Sequence, residues 1–161
     1  TLFYNQLYDL IAYDYATSKP QNIQEATARG VALEWTGQTQ YWQWGLNATW
    51  QQAFNENTQV RLLNRAGRFA RLNLSRALGP VRLGAEWQLS GHRLNFDPVT
   101  YGTSRNAGYG LLNVFVDWKI SPAWSANVRI DNLLDKSYQQ VLGYNTAGVQ
   151  AFARVTYSPQ W

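Results

Sequence analysis

The sequence predicts an all-β chain that crosses a membrane as the wall of an antiparallel β-barrel. Three observations predict it. Polar and apolar residues alternate in segments of the length a tilted membrane strand needs, about 9–11 residues. Short turns alternate with long polar loops along the whole chain. Tryptophan gathers beside the short turns and tyrosine beside the long loops, as in a barrel with an aromatic girdle at each interface.

Composition agrees. Hydrophobic residues make up 45% of the 161 residues, yet they are spread in alternation, and mean hydropathy is −0.40. No run approaches the roughly 20 apolar residues of a membrane-spanning helix. Aromatics stand at 15%, with 8 Trp and 10 Tyr. Cysteine is absent, which excludes a disulfide framework, a thiolate metal site and thiol redox chemistry. The net charge is +4, but the arginines are dispersed at Arg61, Arg65, Arg68, Arg71, Arg76, Arg82, Arg93 and Arg105. Without a basic run the chain lacks a nucleic-acid footprint, and scattered arginines suit a wet lumen or solvated loops. The chain contains no Met and opens within a strand pattern at Thr-Leu-Phe-Tyr, so it is expected to be an internal piece of a longer protein.

The first strand is expected over residues 2–13, although Leu7 and Ile11 fall in the phase of Asn5 and Asp9. A polar connection over 15–25 contains Pro20. The second strand, 26–36, sets Val31, Leu33 and Trp35 against Gly30, Ala32, Glu34 and Thr36. After a turn at 37–40, the third strand, 41–54, sets Trp42, Trp44, Leu46, Ala48 and Trp50 against Gln43, Gly45, Asn47, Thr49 and Gln51. A loop over 55–67 leads to a fourth strand, with Ala70, Leu72 and Leu74 opposite Arg71, Asn73 and Ser75.

Leu78-Gly79-Pro80 turns the chain into a fifth strand, 81–90, where Val81, Leu83, Ala85, Trp87 and Leu89 oppose Arg82, Gly84, Glu86, Gln88 and Ser90. The longest connection spans 92–107. The sixth strand sets Leu112, Val114, Val116, Trp118 and Ile120 against Asn113, Phe115, Asp117 and Lys119. Ser121-Pro122 turns into the seventh, where Trp124, Ala126, Val128 and Ile130 oppose Ser125, Asn127, Arg129 and Asp131. A loop over 133–148 precedes the eighth strand, 150–161, whose apolar face runs Ala151, Ala153, Val155, Tyr157, Pro159 and Trp161. Its polar face runs Gln150, Arg154, Thr156, Ser158 and Gln160, joined by Phe152.

A soluble β-sandwich is the alternative, with the tryptophan faces buried between two sheets. Trp35, Trp42, Trp44, Trp118, Trp124 and Trp161 would then crowd one end of the core, whereas an annular interface has room for them. Tyr13, Tyr15, Tyr101, Tyr109, Tyr138 and Tyr144 mark the opposite rim.

The segment Asn132-Leu133-Leu134-Asp135-Lys136-Ser137-Tyr138, followed by a closing strand and a terminal aromatic, resembles the C-terminal end of TonB-dependent outer-membrane transporters. Within that family, Leu142-Gly143-Tyr144-Asn145-Thr146-Ala147-Gly148 is similar to the same place in the cobalamin transporters. The segments 8–13, 28–34 and 62–66 fit in order. The resemblance implies a Gram-negative outer-membrane barrel of about 22 strands with a plugged lumen, of which these are about eight C-terminal ones. The plug, through which the TonB complex acts, and the earlier strands would lie outside residues 1–161. It also implies uptake of a large scarce ligand, cobalamin or a related corrinoid, with a ferric-siderophore receptor as the rival. No cofactor is implied.

Candidate ligand contacts follow from the same resemblance. Tyr144 matches a substrate-contacting tyrosine of the last outer loop, and Tyr101 stands similarly in the longest loop. Asn64-Arg65 occupies a place where the family tends to carry two adjacent arginines. Arg93, where wall meets loop, could meet an anionic ligand. Each also has a structural reading, as a girdle tyrosine or a solvated loop residue. Catalysis has little to build on, because His92 is the only histidine and has no paired carboxylate at useful spacing. An eight-stranded anchor or adhesin, or an enzyme barrel of that size, would share the strand count.

Overall fold

The computed structural model describes residues 1–14, 17–22 and 25–159. Its strands are β1 (Leu2–Tyr8), β2 (Ile11–Asp14), β3 (Lys19–Asn22), β4 (Glu25–Gln38), β5 (Trp42–Asn55), β6 (Arg68–Leu78), β7 (Val81–Ser90), β8 (Arg93–Asp97), β9 (Gly102–Asn106), β10 (Tyr109–Lys119), β11 (Trp124–Asp131) and β12 (Gln150–Tyr157). Eight of them form one antiparallel sheet in the order β1-β4-β5-β6-β7-β10-β11-β12. Each strand therefore pairs with its sequence neighbour in the wall, an up-and-down meander. The sheet is open: among the described residues no ladder joins β1 to β12.

The pairing register keeps the two phases apart across the whole sheet. Leu72 of β6 faces Trp87 of β7, which faces Leu112 of β10. Val116 of β10 faces Val128 of β11, which faces Ala153 of β12. Because side chains alternate across a strand, one face of the sheet is apolar across its middle, interrupted by Arg29, Arg68 and Arg76 towards the strand ends. That face has no second layer. Val128 is 47% exposed and Val155 63%, and among the described residues the buried hydrophobics are only Ala26, Ala48 and Leu111. An apolar surface of this extent needs a partner phase, and a sandwich would have supplied one from its own chain.

The other face is polar and internally paired. Glu86 sits at its centre, accepting a hydrogen bond from Asn113 Nδ2 at 3.1 Å and lying 3.7 Å from both Arg71 and Arg129. One turn of the pleat away, Asp117 accepts from Arg82 Nη2 at 2.7 Å and from Asn127 Nδ2 at 2.7 Å. Phe115 and Phe152 share this face. The ring of Phe115 lies against the backbone at Gly84, where an added Cβ would overlap it.

Three expectations are corrected at strand ends. The first wall strand stops at Tyr8 instead of running to Tyr13. Asp9 takes a left-handed φ of 54°, which breaks the extended chain. Residues 11–14 then pair with 19–22 in a separate hairpin. That break also explains why Ile11 was out of phase. The loop at 92–107 likewise holds a hairpin, β8–β9. The last strand ends at Tyr157, not at the terminus. Ser158 N still donates to Ala123 O at 2.8 Å, but Pro159 has no N–H with which to continue a ladder. Tyr15, Gln160 and Trp161, assigned above to a rim and to the last strand, lie outside the described residues.

Candidate functional site

The long-loop rim carries the candidate site. The connection from β5 to β6 folds back on its own strands: Leu62 N donates to Ala53 O at 2.9 Å, Gln51 N donates to Gly67 O at 2.8 Å, and Gln51 Nε2 donates to Ala66 O at 3.0 Å. The β8–β9 hairpin then leans on that connection. Asn64 N donates to Leu94 O at 2.7 Å, and the side chain of Asn95 donates to Asn64 Oδ1. Asn95 is fully buried at 0% exposure, so this joint is an enclosed one. The two long loops form one packed body.

Between that body and the ends of β1, β4 and β5 lies a cavity of about 780 Å³. Among the described residues its lining includes Arg29, Arg61, Arg65, Arg68, Arg93 and Arg105 with His92, and no aspartate or glutamate. Arg61 lies over the ring of Phe54 at 5.8 Å, and Arg105 Nη2 is 3.2 Å from His92 Nδ1. Arg93 is the most firmly held, donating to Ser90 Oγ at 2.7 Å, Tyr109 Oη at 3.3 Å and Gln140 O at 3.2 Å. Among the described residues all four ion pairs involve Arg71, Arg82 and Arg129 on the polar wall face. Among the described residues no carboxylate forms an ion pair with any of the six cavity arginines. A concave site lined by one sign of charge raises the local concentration of the opposite one.

Of the residues singled out from sequence, Arg65 and Arg93 line this cavity. Asn64 is engaged in the loop–loop joint, with φ at 61°. Tyr101 and Tyr144 lie outside the cavity and are exposed, at 79% and 72%. Tyr101 caps the β8–β9 turn, its ring edge-on to Phe96 at 6.3 Å. Asp97 builds that turn by accepting from Val99 N at 2.9 Å, a bond that holds its carboxyl below the usual range, as the Thr100 hydroxyl and N–H also do. Tyr144 tops the last loop, where Gly143 N donates to Gln139 Oε1 at 3.0 Å and Thr146 Oγ1 donates to Tyr138 O at 2.7 Å.

Arg29, Arg61, Arg68, Arg105 and His92 were not singled out as site residues, because they are spread over some eighty positions and converge only in the fold. One signal was present: Arg29 and Arg68 sit in the apolar phase of their strands, in register with Gln52 and Trp50.

The Asn132-to-Tyr138 segment is a structural knot at the same rim. Asn132 is 4% exposed and adopts φ 52°. Its side chain accepts from Lys136 N at 2.9 Å and donates to Lys136 O at 3.0 Å, while Asp135 Oδ1 accepts from Val149 N at 3.2 Å. Tyr138 packs on Tyr109 with ring centroids 4.4 Å apart.

Residues 1–133 match the family model described as TonB dependent receptor-like, beta-barrel. The chain belongs to this family. As a TonB-dependent receptor it is an outer-membrane β-barrel protein, here an open arc of the wall. Its apolar face is the lipid-facing one and its polar face the lumenal one. Similar solved structures share the fold. They include the copper transporter OprC (TM-score 0.78, 18% identity, 97% of this chain and 27% of that one). The ferripyoverdine receptor of Pseudomonas aeruginosa matches at TM-score 0.74 and 16% identity, over 97% of this chain and 24% of that one. The ferric-catecholate import receptor Fiu of E. coli K12 matches at TM-score 0.73 and 16% identity, over 96% and 24%. The chain thus spans about a quarter of the length of these receptors.

Proposed function

We propose that this chain is the C-terminal part of the wall of a TonB-energised importer, and that the ligand is a bulky polyanionic chelate of the ferric-siderophore type. The plug, through which TonB acts, and the earlier strands of a barrel of about 22 complete the receptor in this reading. The observation that carries the ligand class is the cavity of about 780 Å³ with six arginines and, among the described residues, no carboxylate. Such a site favours several negative charges gathered on one body, and guanidinium groups bind carboxylate or catecholate oxygens by charge-assisted hydrogen bonds. Two similar structures, those of a ferripyoverdine receptor and of a ferric-catecholate import receptor, are in keeping with it. The reading is one of transport and not of catalysis.

A corrinoid is the second reading, favoured by the likeness of residues 142–148 to the cobalamin transporters and by the exposed ring of Tyr144. A largely uncharged macrocycle with amide arms asks for flat aromatic surface and amide partners, which Tyr144, Tyr101 and the neighbouring Asn and Gln residues would supply.

The test is equilibrium binding to the intact receptor of ferric catecholate and hydroxamate chelates and of cobalamin. Wild type is compared with Arg65→Ala/Arg105→Ala and with Tyr144→Ala. Loss of two charge-assisted contacts, each worth about 1.5–3 kcal/mol, should weaken an anionic chelate by at least tenfold and flatten its salt dependence. Tight cobalamin binding that Tyr144→Ala weakens and the arginine changes leave alone would replace the chelate by the corrinoid. Binding of neither class would reject both.

A further inference from the structure

A second concavity lies on the lipid-facing side of the wall, towards the short-turn rim. It measures about 490 Å³ and its lining includes Leu74, Ala85, Val116 and Val128, with Trp42 and Arg76 at one end. The dent has a simple origin. Ala85 of β7 stands between Leu74 of β6 and Val114 of β10, so a small side chain interrupts a row of branched ones. Among the described residues Arg76 is the only charged one in the lining. It belongs to the apolar phase, directly between Trp42 of β5 and Leu83 of β7, and its guanidinium lies over the Trp42 ring at 5.2 Å. Among the described residues no carboxylate forms an ion pair with it.

Arg76 lies two residues before the end of β6, beside the short turn at Gly79. Short turns mark the periplasmic rim of such barrels, so the guanidinium is at headgroup depth and the groove runs from it towards the hydrocarbon. At headgroup depth a lipid-facing guanidinium costs little and stands within reach of lipid phosphates. A groove alone would fill with any acyl chain; the cation at its end adds a requirement for phosphate. Among the described residues the lining holds no acidic side chain to receive a headgroup ammonium, which favours a headgroup without one.

We propose that this groove is a binding site for one anionic glycerophospholipid of the periplasmic leaflet, with an acyl chain along Ala85 and the phosphodiester on Arg76 beside Trp42. The site is independent of the transported ligand. The experiment is native mass spectrometry of the intact receptor in detergent, after exchange into mixed micelles containing phosphatidylglycerol or phosphatidylethanolamine at equal mole fraction. Wild type should retain one phosphatidylglycerol at least fivefold in preference to phosphatidylethanolamine. Arg76→Gln should abolish the preference and Arg76→Lys should keep part of it. Ala85→Phe, which fills the groove and leaves the cation, should reduce retention of both lipids, and Ala85→Leu should do so more mildly. Unchanged heat-modifiable mobility on gels certifies that each variant is folded. Equal retention of the two lipids by wild type, a preference that survives Arg76→Gln, or retention left unchanged by both Ala85 changes, would leave only ordinary annular lipid and overturn the site.

Discussion

Asn113 Oδ1, on the lumenal face of β10, accepts the backbone N–H of Asn132 at 2.9 Å. Both residues are 4% exposed. The same Asn113 donates through Nδ2 to Glu86 at 3.1 Å, so the last outer loop is tied through one amide to the polar network of the wall. Asn132 in turn holds residues 133–136 in place, with Asp135 N donating to Asn132 O at 2.8 Å. The family-like stretch that begins at Asn132 therefore works as an internal clasp.

Removing the clasp should show in stability before it shows in binding. Leaving a buried donor unmatched costs about 1–3 kcal/mol, so Asn113→Ala and Asn132→Ala should each lower the unfolding temperature of the receptor in detergent. Asn132→Gly keeps the left-handed backbone and separates the two contributions, since glycine adopts positive φ freely. Its effect should be smaller than that of Asn132→Ala. Thermal unfolding of both variants indistinguishable from wild type would show that the clasp contributes nothing.

The two faces of β11 offer a sharper contrast. Val128 stands opposite Val116 and Ala153 on the lipid-facing side, while the adjacent Asn127 stands opposite Asp117 and Arg154 on the lumenal side. An arginine at Val128 should cost roughly 2–4 kcal/mol near the bilayer midplane. Asn127→Ser should cost about 1 kcal/mol, the worth of its hydrogen bond to Asp117. Spin labels at the two positions read the register directly. Oxygen accessibility at 127 together with aqueous-reagent accessibility at 128 would invert the wall.

Most of this wall was legible in the sequence, because period-2 alternation is imposed separately on each strand by a medium that is apolar on one side and wet on the other. Leu72, Trp87 and Leu112 could be assigned to one face without knowing that they are neighbours. The loops were not legible in the same way. Asp9 ends β1 through its own backbone conformation, and no side-chain pattern announces a φ of 54°. The arginine cavity depends on a tertiary joint, Asn64 against Leu94 and Asn95, which brings together cations up to 76 positions apart, from Arg29 to Arg105. Of the five candidate contacts, Arg65 and Arg93 reach the cavity because they border that joint. Tyr101 and Tyr144 do not, because turn geometry carries them to loop tips.

Gly84 and Phe115 form a pair whose fit should be measurable. They face one another across β7 and β10, and a Cβ at Gly84 would enter the Phe115 ring. Gly84→Ala should therefore destabilise the wall by about 1–3 kcal/mol, the usual cost of overpacking. Phe115→Ala should rescue part of that loss, since it empties the space the new methyl needs. A double-mutant cycle isolates the coupling. Purely additive effects would mean that the ring moves aside freely and that the close approach carries no energy.

The two edges of the sheet give the last prediction. β1 and β12 each have one neighbour only, β4 and β11, and every described residue of β12 is exposed. Their outer rows of N–H and C=O groups have no strand partner among the described residues. In hydrocarbon each unpaired group costs several kcal/mol, so the arc must either close on itself or receive neighbouring strands. Closure would require β1 and β12 to meet, and the sheet does not bring them together. Refolded alone in detergent, residues 1–161 should give a heat-labile, self-associating species without the gel shift of a closed barrel. Paired cysteines placed at Tyr4 in β1 and Val155 in β12 should fail to cross-link within one chain. A monomer that resists heating and forms that cross-link in high yield would instead make this an eight-stranded barrel in its own right, with an anchor or adhesin as its proper class.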